Sequence, residues 1–264
     1  MTLAAAMTGM RAALDHAPRV AVAVSGGVDS LTLLAFATRH HGDVRAFHAE
    51  SAAVPPEATA RTRDLASALG VELVLLDVGE LRDTRYASNP LDRCYICKSH
   101  LYRGIAASPA ARGAVVLSGT NRDDLGDFRP GLRAADEHGV RHPFVEAGLG
   151  KAEVRELARA LGLGALAELP AQPCLASRVE TGIAIDAALL RAIDDVERRA
   201  RAHLGEGAVV RCRVRAGRAE LELEESSVQG VLLPALLTAL HGAALEIERI
   251  VPYRRGSAFL RVVD

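Results

Sequence analysis

The chain has 264 residues, of which 49% are hydrophobic and 25% are charged, a balance typical of globular proteins. Its formal net charge of −1 provides no general excess of Lys and Arg for a polyanion, which disfavours a nucleic-acid partner. The first residues lack the apolar core of a signal peptide, and the most apolar later run (228–240) is too short to cross a bilayer. We therefore expect a cytoplasmic protein that does not enter a membrane.

Short valine-rich segments alternate with helical patterns through the first two thirds of the chain. The predicted strands are 20–24, 44–49, 71–76 and 115–118, and the predicted helices are 29–40, 56–69, about 98–107 and 151–161. This alternation predicts an α/β fold with a doubly wound parallel sheet, in which ligands gather at the carboxyl ends of the strands. We expect the segments after the first, second and fourth strands, 25–30, 50–51 and 119–121, to face one crevice.

The pattern changes after Gly182 to helix, two strands, helix and two strands. These elements are predicted at 185–204, 209–214, 219–223, 228–241, 246–251 and 257–263. They predict a small C-terminal α+β domain, residues 182–264, that follows a first domain formed by residues 1–181.

Residues Ser25–Ser30, with the sequence SGGVDS, lie between the first predicted strand and its helix. The N–H groups and the dipole of a helix N-terminus favour an anion at this point. Gly26 and Gly27 allow a phosphate close to the backbone, and two serine hydroxyls add donors. The loop has no Lys, which distinguishes it from a Walker A motif. It resembles the pyrophosphate loop of the ATP pyrophosphatases, which cleave ATP to AMP and pyrophosphate.

Three of the four cysteines lie in polar motifs, a pattern that outside oxidising compartments indicates metal binding or catalysis rather than disulfides. Cys94 and Cys97 form a C-x-x-C pair that could hold a soft metal, act as a dithiol or pack as two small buried hydrophobes. Cys174 precedes Ser177 and Arg178, which we expect to bind an anionic substrate; Arg178 would also lower the pKa of the thiol.

The motifs follow the order seen in the LarE family, and the resemblance covers essentially the whole chain. They are SGGVDS (25–30), NPLDRCYICK (89–98), GTN with DFRPG (119–131) and CLASR (174–178). LarE proteins are ATP-dependent sulfur transferases in the synthesis of the nickel-pincer nucleotide cofactor. Phe128 stands where many members have Tyr, which removes a hydroxyl.

The resemblance implies that the substrate is a small nucleotide, pyridinium-3,5-biscarboxylic acid mononucleotide. ATP with Mg²⁺ would adenylylate a carboxylate, pyrophosphate would leave, and a sulfur nucleophile would displace AMP. Asp29, as a metal ligand or an orienter of the loop, and Cys174 are the expected catalytic residues. The expected ATP-binding residues are Ser25, Gly26, Gly27, Asp29, Ser30 and Asn121. The acidic segment Asp123–Asp127 either holds Mg²⁺ or is a turn-rich loop.

Members of the family differ in their source of sulfur. Those with only the cysteine that matches Cys174 give up its sulfur, whereas those with cysteines matching Cys94, Cys97 and Cys174 hold a 4Fe-4S cluster. This chain has all three, so the resemblance favours a cluster whose open iron takes sulfide or sulfur from an unidentified donor. Sacrificial donation from Cys174 is the alternative.

Arg213 and Arg215 resemble an Arg-Val-Arg motif of the family that helps to bind the substrate phosphate. With Arg211 they are expected on one face of a strand, opposite a buried Cys212, and the alternative is a solvated polar face. If they lie far from Cys174, a neighbouring subunit of a homo-oligomer would supply them.

Other functions share parts of the pattern. A tRNA thiolase has the same loop, cysteines and cluster, but the chain lacks a general basic excess. An ammonia-using amide synthase leaves the three cysteines unexplained. An ATP-sensing or iron–sulfur carrier module would keep the motifs and release no pyrophosphate.

Overall fold

A computed structural model describes residues 3–126, 129–205, 207–228 and 233–253. The chain divides into two compact units, the first formed by 1–80 with 92–171 and the second by 81–91 with 172–264. The second unit thus includes a segment from the middle of the chain and resumes at Gln172, whereas the sequence alone places a boundary at 181/182. Within the described residues no helix combines the length and the apolar character that a membrane span needs.

A parallel four-stranded sheet forms the centre of the first unit. Its strands are β1 (Val20–Ala23), β2 (Val44–Ala49), β3 (Glu72–Leu76) and β4 (Val115–Ser118), in the order β3-β2-β1-β4. All neighbours are parallel. Each strand matches its predicted range to within one residue, because each is a short, mainly apolar segment that contains valine. The predicted doubly wound sheet is confirmed.

Helices cover both faces of this sheet. Val20 and Val22 of β1 belong to one hydrophobic core, and Ala21 and Ala23 belong to another. The helices of the whole chain are α1 (Leu3–Asp15), α2 (Val28–His40), α3 (Pro56–Leu69), α4 (Thr84–Ala87), α5 (Arg93–Ala107), α6 (Pro130–Glu137), α7 (Pro143–Glu146), α8 (Lys151–Ala160), α9 (Ala187–Leu204), α10 (Glu225–Val228) and α11 (Leu233–Leu240). Short 3₁₀ helices lie at Glu80–Arg82, Pro109–Ala111, Arg122–Gly126, Gly164–Glu168 and Leu175–Arg178.

The prediction from sequence differs from these helices in two respects. It omits α1, α4, α6, α7 and α10, because α1 is rich in alanine and the other four helices are too short to show a repeated helical pattern. It also begins the fifth helix near 98, whereas α5 begins at Arg93 and therefore includes the C-x-x-C pair.

The second unit contains a three-stranded sheet against which α9 packs. Its strands are β5 (Val210–Arg215), β6 (Arg218–Leu223) and β7 (Ile247–Pro252). β5 and β6 are antiparallel, and β7 is parallel to β6. Ala216 and Gly217, with φ of 48° and 76°, form the tight turn of a type I′ hairpin. The predicted strand 257–263 lies outside the described residues, as do residues 229–232 of the predicted helix 228–241.

Candidate functional site

The sheet order places β1 between β2 and β4, and the helices that follow β1 and β4, α2 and α6, pack on opposite faces of the sheet. In such sheets ligands bind where the segments after the two strands diverge. Here those segments, Ser25–Ser30 and Gly119–Asn121, lie against each other. A Cβ on Gly119 would lie 2.7 Å from the backbone N of Ser30, so only glycine allows this approach. The two segments are therefore adjacent, and the crevice that they are expected to share with residues 50–51 stays a prediction.

Hydrogen bonds of Ser30 close the loop after β1. Its Oγ accepts from the backbone N of Ser25 at 3.0 Å, lies 3.1 Å from Ser25 Oγ and donates to the carbonyl oxygen of Gly27 at 3.1 Å. Gly26 has a left-handed φ of 78°, and a side chain there would collide with the backbone of Ala58. Ser30 is buried and Ser25 is exposed, so Ser30 shapes the loop while Ser25 faces solvent.

Asp29 lies in the first turn of α2 and is the point where three distant segments meet. Its Oδ2 is 2.5 Å from Nζ of Lys151, the first residue of α8. Its Oδ1 accepts from Nδ2 of Asn121 at 3.5 Å. Lys151 is not among the predicted site residues, although the chain contains only two lysines among 32 Lys and Arg residues. That scarcity was the available signal.

In the acidic segment after β4, carboxylate oxygens accept hydrogen bonds from backbone N–H groups. Asp123 Oδ2 accepts from the backbone N of Lys151 at 2.8 Å, and Asp124 Oδ2 accepts from the backbone N of Asn121 at 3.0 Å. Asn121 Oδ1 in turn accepts from the backbone N of Asp123 at 3.0 Å. These contacts are those of the turn-rich loop; residues 127–128 lie outside the described part of the chain.

Cys94 and Cys97 lie in the first turns of α5, three residues apart and therefore on one side of the helix. Both are half-buried and neither forms a disulfide, which argues against two fully buried hydrophobes. Between them Tyr95 donates its hydroxyl to Glu137 at 2.7 Å, and the guanidinium of Arg133 lies 3.8 Å from its ring centroid. Both contacts hold α5 against α6, so the two thiols lie on a well-anchored helix.

Cys174 directly precedes a 3₁₀ helix of the second unit, and buried Arg178 holds this segment in place. Its Nη1 donates to the carbonyl oxygens of Pro173 at 2.6 Å and Cys174 at 3.3 Å. Its Nε and Nη2 donate to the two carboxylate oxygens of Glu197 at 2.8 and 2.9 Å. Burial alone would raise the pKa of Glu197, but the guanidinium outweighs it and holds that pKa below its usual value.

The arginines of β5 do not form a solvated face. Arg211 and Arg213 are buried, and Arg215 is half-buried. Arg213 donates to Glu222 Oε2 at 3.0 Å and to the carbonyl oxygen of Ser177 at 2.8 Å, and Arg215 donates to Glu222 Oε1 at 3.0 Å. Their charges therefore already face a carboxylate on the neighbouring strand. The structure brings Ser177 and Arg213 together, as a shared site requires.

The four cysteines differ in environment. Burial, with a smaller contribution from Glu197, raises the pKa of Cys212 to about 12, so it is the inert, buried thiol that the sequence predicts. Cys94 and Cys97 belong to the first unit and Cys174 to the second. In the part of the chain that the structure describes, no three His, Cys, Asp or Glu residues form a potential metal site. The three-cysteine ligand set stays a prediction.

Comparison with known proteins places these features in a family. No protein-family model matches the chain. It is 35% identical over 193 residues to the uncharacterized protein slr1717 of Synechocystis sp., a match that covers 72% of each chain. It is 36% identical over 165 residues to the pyridinium-3,5-bisthiocarboxylic acid mononucleotide synthase of Lactiplantibacillus plantarum, covering 61% of this chain and 60% of the synthase. A third relative, the uncharacterized protein MJ0830 of Methanocaldococcus jannaschii, is 31% identical over 123 residues, covering 46% of this chain and 48% of that protein. The extent of the first match shows that this chain belongs to the same family as slr1717, and its similarity to the synthase supports a LarE-like family.

Proposed function

We propose that this protein is an ATP-dependent sulfur transferase of nickel-pincer nucleotide biosynthesis. It converts a carboxylate of pyridinium-3,5-biscarboxylic acid mononucleotide into a thiocarboxylate. The observation that carries the proposal is the convergence of Ser25–Ser30, Asn121 and Lys151 at the point where the sheet order reverses. The name of the Lactiplantibacillus relative, a bisthiocarboxylic acid mononucleotide synthase, supports the class of substrate.

The first step activates the carboxylate. A carboxylate oxygen of the substrate attacks the α-phosphorus of ATP, a new O–P bond forms, and pyrophosphate leaves with the electrons of the broken P–O bond. The N–H groups at the start of α2 favour the departing phosphates, and the exposed Ser25 adds a donor. The carboxylate of Asp29 suits Mg²⁺, which prefers oxygen ligands and would neutralise phosphate charge when bound.

The second step transfers sulfur. A sulfur nucleophile adds to the acyl carbon, and AMP leaves with the electrons of the broken C–O bond. We propose that Cys94, Cys97 and Cys174 hold a 4Fe-4S cluster, which when bound would provide an iron site for sulfide. Their chemistry suits it, because all three thiols are half-buried and unlinked and two of them share one helix side. Arg178 keeps the Cys174 segment in place through its backbone carbonyls.

The test is anaerobic purification, iron and sulfide analysis, and turnover with ATP, Mg²⁺, sulfide and the biscarboxylate mononucleotide. We expect pyrophosphate release that depends on the mononucleotide, and a product in which sulfur replaces a carboxylate oxygen. No pyrophosphate from the iron-loaded protein would contradict the function.

Cysteine variants separate the two sources of sulfur. Cys94→Ala should lose both iron and sulfur transfer, whereas Cys212→Ala, which removes the buried thiol, should keep both. Product formation without iron, together with a loss of mass at Cys174 after turnover, would replace the cluster with sacrificial donation.

A further inference from the structure

A lysine contacts the phosphate-binding loop although the loop itself contains none. We propose that Lys151 binds the terminal phosphates of ATP and exchanges the Asp29 carboxylate for phosphate oxygens when MgATP binds. This inference rests on the proposed ATP-dependent function and adds a residue to the same site.

The backbone around Lys151 is fixed, and its side chain reaches the loop. Its backbone N donates to Asp123 Oδ2 at 2.8 Å, and the preceding Gly150 donates to Glu153 Oε2 at 2.9 Å. A side chain on Gly150 would collide with Asp123, since its Cβ would lie 2.6 Å from Oδ1. From this anchored start of α8, Nζ extends to within 2.5 Å of Asp29 Oδ2. The ammonium therefore lies beside the first turn of α2, where phosphates would bind.

The type of cation matters at this position. The chain has 30 Arg and two Lys, so Arg is its usual cation and Lys151 is an exception. An ammonium is a compact charge with three rotatable donors, whereas a guanidinium is a planar fork that suits fixed partners. Arg61 illustrates the difference, because its Nε donates to the carbonyl oxygen of Gly26 at 3.2 Å and so holds the loop backbone. Lys151 instead contacts a carboxylate side chain.

The ion pair is suited to exchange. The side chains of Lys151 and Asp29 are 35% and 26% exposed, and ion pairs that reach solvent contribute little to stability. A triphosphate carries more negative charge than one carboxylate, so it competes well for the ammonium. When the Lys151 ammonium moves from the carboxylate to the phosphates, Asp29 would become available as an oxygen ligand for Mg²⁺. As pyrophosphate departs, the ammonium would then stabilise the charge that develops on the leaving group.

The test compares two nucleotides that differ in their terminal phosphates. Calorimetry with Mg²⁺ measures binding of α,β-methylene-ATP and of AMP to the full chain and to Lys151→Met. We expect the triphosphate analogue to bind about 10- to 100-fold more weakly to the variant, because a charge-assisted contact is lost. AMP should bind within about twofold of the parent, because Lys151 makes no contact with it. Lys151→Arg should recover part of the affinity, and Arg103→Met, an exposed change on α5, should bind both nucleotides like the parent.

Different outcomes distinguish a wrong role for Lys151 from a wrong proposal of ATP-dependent function. A parent protein that binds no MgATP would overturn both. A parent that binds MgATP and releases pyrophosphate, with equal triphosphate affinity in Lys151→Met, would overturn the role of Lys151 alone, as would equal losses for AMP and the analogue. If Lys151→Met does not fold, ¹³C-methylation of the parent's two lysines replaces it. The Lys151 signal should then shift with the analogue and not with AMP, and no shift would overturn the assignment.

Discussion

Arg178 and Glu197 show how individual residues of the second unit stabilise the cysteine segment. Their side chains are 2% and 1% exposed, and the two groups share a bidentate contact. Arg213 and Glu222 form a second buried pair on neighbouring strands. A buried charge is tolerated only when it is paired, so each arginine requires its glutamate. A substrate phosphate at Arg178 or Arg213 would therefore share a guanidinium with a carboxylate that is already bound.

Removing one charge of the buried pair should be costly. Glu197→Gln keeps the size of the side chain but leaves the Arg178 guanidinium without its counter-charge, and should lower the free energy of unfolding by about 3–5 kcal/mol. Asp195→Asn makes the same chemical change on the same helix, at the more exposed pairs with Arg198 and Arg199, and should cost less than about 1 kcal/mol. Urea denaturation measures both variants. Equal losses of unfolding free energy in the two variants would contradict a larger contribution of the buried pair.

At the scale of elements, the site depends on how closely the end of β4 approaches the start of α2. Gly119 makes this approach possible, and Asn121 then reaches Asp29. α5 illustrates a different point, because its start at Arg93 gives the C-x-x-C pair a helical spacing. The sequence does not predict this start, since Cys94, Tyr95 and Cys97 show no clear repeat of apolar residues at helical spacing.

A methyl group at residue 119 should separate the two elements. Gly119→Ala places a Cβ 2.7 Å from the backbone N of Ser30, where relief requires a movement of α2 or β4. We expect a loss of about 1–3 kcal/mol in the free energy of unfolding and a larger proportional loss of pyrophosphate release. Gly42→Ala is the matched control, because a Cβ there meets no atom within 4 Å, and its stability should change by less than about 0.5 kcal/mol. An active, stable Gly119→Ala protein would contradict the proposed packing.

For the molecule as a whole, buried histidines predict a dependence of stability on pH. His48 Nδ1 donates to the carbonyl oxygen of Val24 at 2.8 Å, and Nε2 accepts from the Thr59 hydroxyl at 2.9 Å. Desolvation by burial lowers the pKa of His48, and it has the same effect on His142. The folded protein therefore keeps these rings neutral, while the unfolded chain binds protons near its ordinary pKa of about 6.5.

The direction in which stability changes with pH follows from the number of protons that each state binds. The unfolded state binds more protons below about pH 6.5, so the histidine contribution is complete above that pH and is lost as the pH falls. The urea midpoint of the parent should drop between about pH 7 and about pH 5.5. His48→Gln should flatten this dependence, whereas His16→Gln, an exposed change, should keep the slope of the parent. A midpoint that rises on acidification would contradict the assignment.

Local features of this protein can be predicted from its sequence alone. Four strands follow from short runs that contain valine, of which β1 is wholly buried, and the loop after β1 follows from the chemistry of SGGVDS. The inert state of Cys212 follows from its alternation with polar neighbours on β5. These features depend on residues that are adjacent in the chain, so a single sequence contains them.

The pairing of charged side chains becomes visible in the folded protein and not in the sequence. Asp29 and Lys151 are 122 residues apart, and no local pattern links them. Arg178 and Arg213, expected to bind substrate, instead form ion pairs with buried glutamates. Their partners are Glu197 and Glu222. The segment 81–91 was likewise assigned to the second unit by its contacts. Periodicity reports how each residue is buried within its own element, whereas a charge pair depends on the register and packing of elements that are distant in sequence.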